Sequence, residues 1–165
     1  MFESTQYSER HHRLRQQFSS GLLLILGNSH ASINYPHNHY WFRQDSSFTY
    51  FFGLNEADIA DVIDIDGGDD ILFGDDPDIQ EVVWAGQQSL LLVEREKTVN
   101  VSTVKPISAM SKIVVAARSK QRMIHYLPAY RGESILVLSR LFEATPEQVE
   151  AGISPDLIAA KYQLA

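Results

Sequence analysis

The 165-residue chain has no cysteine, so neither a disulfide framework nor thiol catalysis is open to it, and a reducing compartment suits it. Basic charge is scarce: 14 Lys and Arg stand against 21 Asp and Glu, for a formal net charge of -7. Between Arg43 and Arg95 there is no Lys, Arg or His at all. Such a balance opposes nucleic-acid binding, which needs a basic patch to meet the phosphates. Long apolar runs are missing too. The run Leu22–Leu26 is far too short to span a bilayer, and Met1-Phe2-Glu3-Ser4 does not open a secretory leader. Gly-x-Ser-x-Gly and phosphate-cradling glycine loops are absent, which leaves no nucleophile constellation. The expectation is a cytoplasmic protein without membrane or nucleic-acid partners and without a catalytic residue of its own.

What is present suffices for one domain: 44% of residues are hydrophobic, enough for a substantial core at this length. Tyr7, His11, Leu14 and Phe18 recur at helical spacing, and Gly21 breaks the pattern before the strand Leu22–Leu26. Asn28–Asn38 reads as a loop. In the following stretch Tyr40–Glu56, Phe48, Tyr50 and Phe52 alternate with Thr49 and Phe51, which predicts a strand ended by Gly53. Residues 59–66 and 71–73 read as strands joined by a tight turn. A helix over 78–96, a strand over 99–104, a helix over 107–117 and a strand over 123–127 follow. The helix predicted over 132–142 places Ile135, Leu138 and Phe142 on one face.

Two start signals close the chain. Thr145-Pro146-Glu147-Gln148 has capping-box spacing with proline at the first helical position, and Ser154-Pro155-Asp156 opens a helix with Leu157, Ile158 and Tyr162 on a shared side. Interleaved strands and helices give an α/β layered domain.

Several polar clusters are candidates for chemistry. Nine aspartates lie between Asp58 and Asp78, but an EF-hand loop begun at Asp64 would put Asp69 where the turn glycine is required. A solvated acidic hairpin is therefore expected. His37 and His39 can share one side of an extended segment, with Asp45 nearby, yet two histidines lack a third fixed ligand, so no metal is assigned. His11 and His12 are adjacent on a helix and cannot chelate together. His125, within a strand pattern, reads as structural. Arg43 and Asp45 are read as an ion pair or a turn-forming pair in preference to direct substrate contacts. Trp84, after Glu81-Val82-Val83 and before Ala85-Gly86, is either a core tryptophan or one projecting from a bend.

Arg43-Gln44-Asp45-Ser46-Ser47-Phe48 followed by Tyr50-Phe51-Phe52-Gly53-Leu54-Asn55-Glu56 resembles the central motif in the N-terminal domain of Xaa-Pro aminopeptidases, in the creatinase/prolidase group. Other pieces occur in matching order: Tyr7, Arg10, Arg13 and Leu14; Leu72-Phe73-Gly74-Asp75-Asp76; Val83-Trp84-Ala85-Gly86; His125 to Arg131; and Ser154 to Ile158. At the place of His37, relatives often carry an acidic residue.

The resemblance implies a three-layer α/β fold, with a mixed central sheet and helices on both faces, of the ribonuclease-H-like creatinase N-terminal type. It implies that residues 1–165 form one such domain, and that a C-terminal pita-bread metallopeptidase domain is absent from this chain. The parent would use two divalent metals, expected to be manganese and held in that other domain, to remove an N-terminal residue that precedes proline. The partners implied are that catalytic domain, further copies in a homo-oligomer, and proline-containing peptides. Trp84, Arg43, Asp45, His37 and His39 are the substrate-entrance or interface candidates, Trp84 by reaching a neighbouring subunit's site. A rival expectation is a free-standing peptidase-like module whose acidic hairpin binds basic peptides or proteins.

Overall fold

A computed structural model describes residues 4–35, 38–76, 101 and 103–164. Its elements are α1 (Ser4–Arg15), β1 (Leu22–Leu26), α2 (Ser46–Phe52), β2 (Ala60–Asp64), β3 (Asp70–Phe73), β4 (Thr103–Lys105), α3 (Ser108–Ser119), β5 (Ile124–Tyr126), α4 (Gly132–Phe142), α5 (Pro146–Ala151) and α6 (Pro155–Leu164). The helix expected over 78–96 lies outside the described residues, as does Trp84.

The strands form one mixed sheet in the order β4-β3-β2-β1-β5. The apolar β1 occupies an interior position, antiparallel to β2 (Leu22 opposite Asp64, Leu26 opposite Ala60) and parallel to β5 (Leu22 opposite Ile124). A strand buried on both faces should read as a continuous apolar run, and Leu22 to Ile25 are all buried. Side chains alternate between two cores. Leu23, Ile25, Ile63 and Leu72 join residues of α1, α2 and α6, including Leu14, Phe48 and Leu157. Leu22, Leu24, Val62 and Phe73 join α3, α4 and α5 through Val114, Leu138 and Val149. The result is the expected three-layer domain, its sheet covered on both faces.

One element departs from expectation: Ser46–Phe52 is helix, not strand. Asp45 Oδ1 accepts from the backbone N–H groups of Ser47 (2.8 Å) and Phe48 (3.1 Å), capping the first turn. At the other end Gly53 adopts φ 67° and ψ 6°, the left-handed C-terminal geometry, and its N–H bonds Thr49 O. A side chain at Gly53 would also collide with the Tyr7 hydroxyl. With both ends fixed, Phe48, Phe51 and Phe52 share the buried face at i, i+3, i+4, while Thr49 faces solvent. Burial of three phenylalanines against α1 and the sheet outweighs the β preference of single aromatic residues.

In α6 the inward residues are Leu157 and Ala160, whereas Tyr162 is exposed, so the face expected from Leu157, Ile158 and Tyr162 is rotated. The Thr145 capping box forms with Gln148.

Candidate functional site

β1 and β5 run parallel, so the loops after them emerge at one end of the sheet, where open α/β sheets place their binding crevices. The loop after β1 is organised by Gln44, which is 4% exposed. Its Oε1 accepts from the N–H groups of Asn28 (2.6 Å) and Asp45 (2.9 Å), and its Nε2 donates to Glu56 O. Gly27 is needed for this approach, because a Cβ there would lie 2.7 Å from Ile59 O and 3.0 Å from the Gln44 amide. From the neighbouring loop, Arg131 Nη1 donates to Ser29 O (3.0 Å) and ties the two segments together. Between them lies a pocket of about 130 Å³ lined in part by Asn28, Asp45, Tyr126, Tyr130, Arg131 and Lys161.

The two loops carry large exposed side chains. Trp41 is 98% exposed and Tyr130 83%, with Tyr35, Tyr40 and Ile33 also in solvent. His39 stacks on His30, with ring centroids 4.5 Å apart and planes 13° from parallel, and His30 also meets Phe42. Grouped surface aromatics of this kind mark places where a partner or ligand is met.

Among the sequence candidates, Asp45 caps α2 and borders the pocket. Arg43 is exposed, and no ion pair joins it to Asp45, so the turn-forming reading holds for Asp45 alone. His39 is exposed beside the rim. His37 lies outside the described residues, as does Trp84. Among the described residues no three His, Asp, Glu or Cys side chains are grouped to hold a metal.

The acidic segment differs from the solvated hairpin expected. Asp66, Asp69, Asp75 and Asp76 are exposed, but Asp61 is fully buried and Asp70 is 5% exposed. Both lie on the face covered by α1. His11 Nδ1 meets Asp70 Oδ2 at 2.7 Å, while His11 Nε2 donates to Phe51 O at 3.0 Å. Arg15 lies 3.7 Å from Asp70. Burial, then the Asp70 charge, raises the Asp61 carboxyl well above its ordinary range, with Arg15 opposing the shift. With Asp61 written as a carboxylate neither of its oxygens has a partner, and a proton on Asp61 would supply a donor toward Asp70. The signal in sequence was His11, a titratable residue on the apolar stripe Tyr7-His11-Leu14, which demands a buried counterpart.

Asp64 forms a different contact. Burial pushes its carboxyl up, but hydrogen bonds from Arg122 and from the Gly67 N–H hold it below the usual range. Arg122 also binds Asp66, clamping the β2–β3 turn to the segment before β5. On the opposite side His125 Nδ1 lies 2.9 Å from Ser154 Oγ, and burial lowers its pKa, which supports the structural reading.

Comparison with known proteins adds three findings. The family model described as "Aminopeptidase P, N-terminal domain" matches residues 7–125, more than half of the chain. No curated protein matches it in sequence. Among solved structures, the low-pH form of aminopeptidase P from E. coli superposes with a TM-score of 0.68 at 18% identity, covering 87% of this chain and 33% of its own. Proline aminopeptidase P II from Yersinia pestis gives 0.70 at 17% identity, covering 86% and 33%. The chain thus spans about a third of the length of the solved relatives, and at such identity the likeness shows the fold. Among the described residues no helix is long and apolar enough to cross a membrane.

Proposed function

The chain belongs to the aminopeptidase P N-terminal domain family, and we propose that it is the non-catalytic N-terminal domain of a Xaa-Pro aminopeptidase. In this reading residues 1–165 form a single domain that helps the enzyme oligomerise and shapes its substrate entrance in the cytoplasm. Hydrolysis belongs to a C-terminal pita-bread domain elsewhere in the full-length protein, where two divalent metals, expected to be manganese, supply the activated water. What this chain contributes is binding surface. The observation that carries the reading is the family match over residues 7–125, together with the exposed aromatic rim of Tyr40, Trp41 and Tyr130. Rigid aromatic faces suit the proline ring of a peptide at low entropic cost. Trp84, Arg43, Asp45, His37 and His39 are assigned to this entrance or to a subunit interface beside it.

The direct test is hydrolysis by the full-length protein, supplied with manganese, of a peptide with proline second and of the same peptide with alanine there. Release of the first residue from the proline peptide alone is the expected result. Absence of hydrolysis in both would overturn the reading.

The exposed aspartates Asp66, Asp69, Asp75 and Asp76 favour a second reading, a free-standing module that binds basic peptides or proteins. Affinity for a Lys-rich peptide that falls steeply as salt is raised would support it over the first.

A further inference from the structure

The pocket of about 130 Å³ at the ends of β1 and β5 is lined in part by α2, α4 and α6, and each brings a polar group to it. Ser47 in α2 is 4% exposed, and its hydroxyl makes no hydrogen bond with a described residue. A hydroxyl kept inside the fold but outside its hydrogen bonding is available to whatever the pocket holds. Lys161 in α6 is half-buried, and its ammonium forms no ion pair or hydrogen bond with a described residue. Its one ring contact is with Tyr162, 5.7 Å from the centroid.

The first turn of α4 reaches the pocket through Ser134. No side chain caps this helix, because Arg131 at the cap position makes no side-chain bond to the turn. Its first N–H groups are therefore left to an outside acceptor. Glu133, the acidic residue of that turn, is exposed and lies 3.7 Å from Arg131, which offsets its charge. From α2, Asp45 adds a carboxylate whose Oδ1 caps the helix at Ser47 and Phe48, while Oδ2 makes no hydrogen bond with a described residue. Asp45 and Lys161 thus border one pocket without pairing with each other.

We infer that this pocket binds a small α-amino acid as its zwitterion. The carboxylate is met by the Lys161 ammonium and by the first turn of α4, whose dipole and free N–H groups favour an anion. The ammonium is met by Asp45, and the Ser47 hydroxyl can donate to one pole or accept from the other. One ligand then answers both wall charges, whereas a simple anion faces Asp45 and a simple amine faces Lys161. Size narrows the class: an apolar cavity of about 150 Å³ takes benzene, and alanine has the same number of non-hydrogen atoms. Leu26 and Leu138, also in the lining, suit a short apolar side chain.

The test is calorimetric titration of the 165-residue chain with alanine, propionate and alaninamide, with sulfate as a control anion. Alanine is expected to bind, and loss of either pole, in propionate or alaninamide, to weaken binding about tenfold or more, as removal of a charge-assisted hydrogen bond does. Lys161→Met should weaken alanine by about the same factor with the melting temperature unchanged, since that ammonium holds no ion pair within the fold. Ser47→Ala should also weaken alanine. Asp45→Asn, which keeps the α2 cap, should bring propionate close to alanine. No binding of alanine at millimolar concentration, equal binding of alanine and either analogue, unchanged alanine affinity in Lys161→Met, or displacement of alanine by sulfate at equal concentration each overturns the assignment.

Discussion

Asp61 is the residue whose burial has the most direct energetic consequence. Its pKa in the folded state is raised above the value in the unfolded chain, first by burial and then by Asp70. Folding therefore binds a proton. Its contribution is most favourable below the ordinary carboxylate range and is lost as pH rises through the raised value. Asp61→Asn keeps the shape and a donor toward Asp70 without the charge. The urea midpoint of this variant should exceed that of the natural chain at pH 8 and approach it at pH 5, and a lower midpoint at pH 8 would contradict the raised Asp61 carboxyl. Gly53 is a second such position. Gly53→Ala places a methyl against the Tyr7 hydroxyl at a positive φ and should destabilise by about 1 kcal/mol or more, measured by thermal melting.

At the scale of elements, β1, the β2–β3 hairpin, α4 and the capped start of α5 could be read directly from the sequence. Each is set by local signals: a continuous apolar run, Gly67-Gly68 between strands, a 3.6-residue apolar stripe, and Thr145 with Gln148. The segment at α2 could not be read that way, because its aromatic residues satisfy both a two-residue and a 3.6-residue period. Only the caps Asp45 and Gly53 separate the two, and their force depends on the fold bringing Tyr7 and the sheet against Phe51 and Phe52. Asp45→Ala should therefore cost about 0.5–2 kcal/mol, while Asp45→Asn, which retains the cap, should cost far less. Phe48→Ala, which empties a fully buried site, should cost about 3–5 kcal/mol. Denaturant titration separates these values, and equal losses for Asp45→Ala and Asp45→Asn would show that charge, not capping, matters. The site was legible only in part. Asp45 stands out in sequence as a charge within an aromatic run, but Gln44, which orders the loop from inside, shows no pattern in sequence because its partners are backbone groups of Asn28, Asp45 and Glu56. The cluster of His11, Asp61 and Asp70 joins residues 59 positions apart in sequence and becomes visible only when α1 lies over the sheet.

At the scale of the whole molecule, the domain presents a sheet end with two loops pinned together by Arg131 and Ser29, a rim of exposed aromatic residues, and two recesses, one bordered by Asp45 and the other by Ser46. Under the proposed function these features would border the substrate path. In the full-length protein, Trp84→Ala and Trp41→Ala should each lower kcat/KM for Xaa-Pro peptides with metal content unchanged. Unaltered kinetics in both would remove the aromatic entrance from the account. The central claim, that this chain is one domain of a longer peptidase, is tested most directly by the mass of the native polypeptide in its source cells, detected with an antibody raised against residues 1–165. Because 87% of the chain matches 33% of its solved relative, the account predicts a band between two and three times 18.7 kDa. A band at 18.7 kDa itself would contradict it and leave a free-standing binding module in its place.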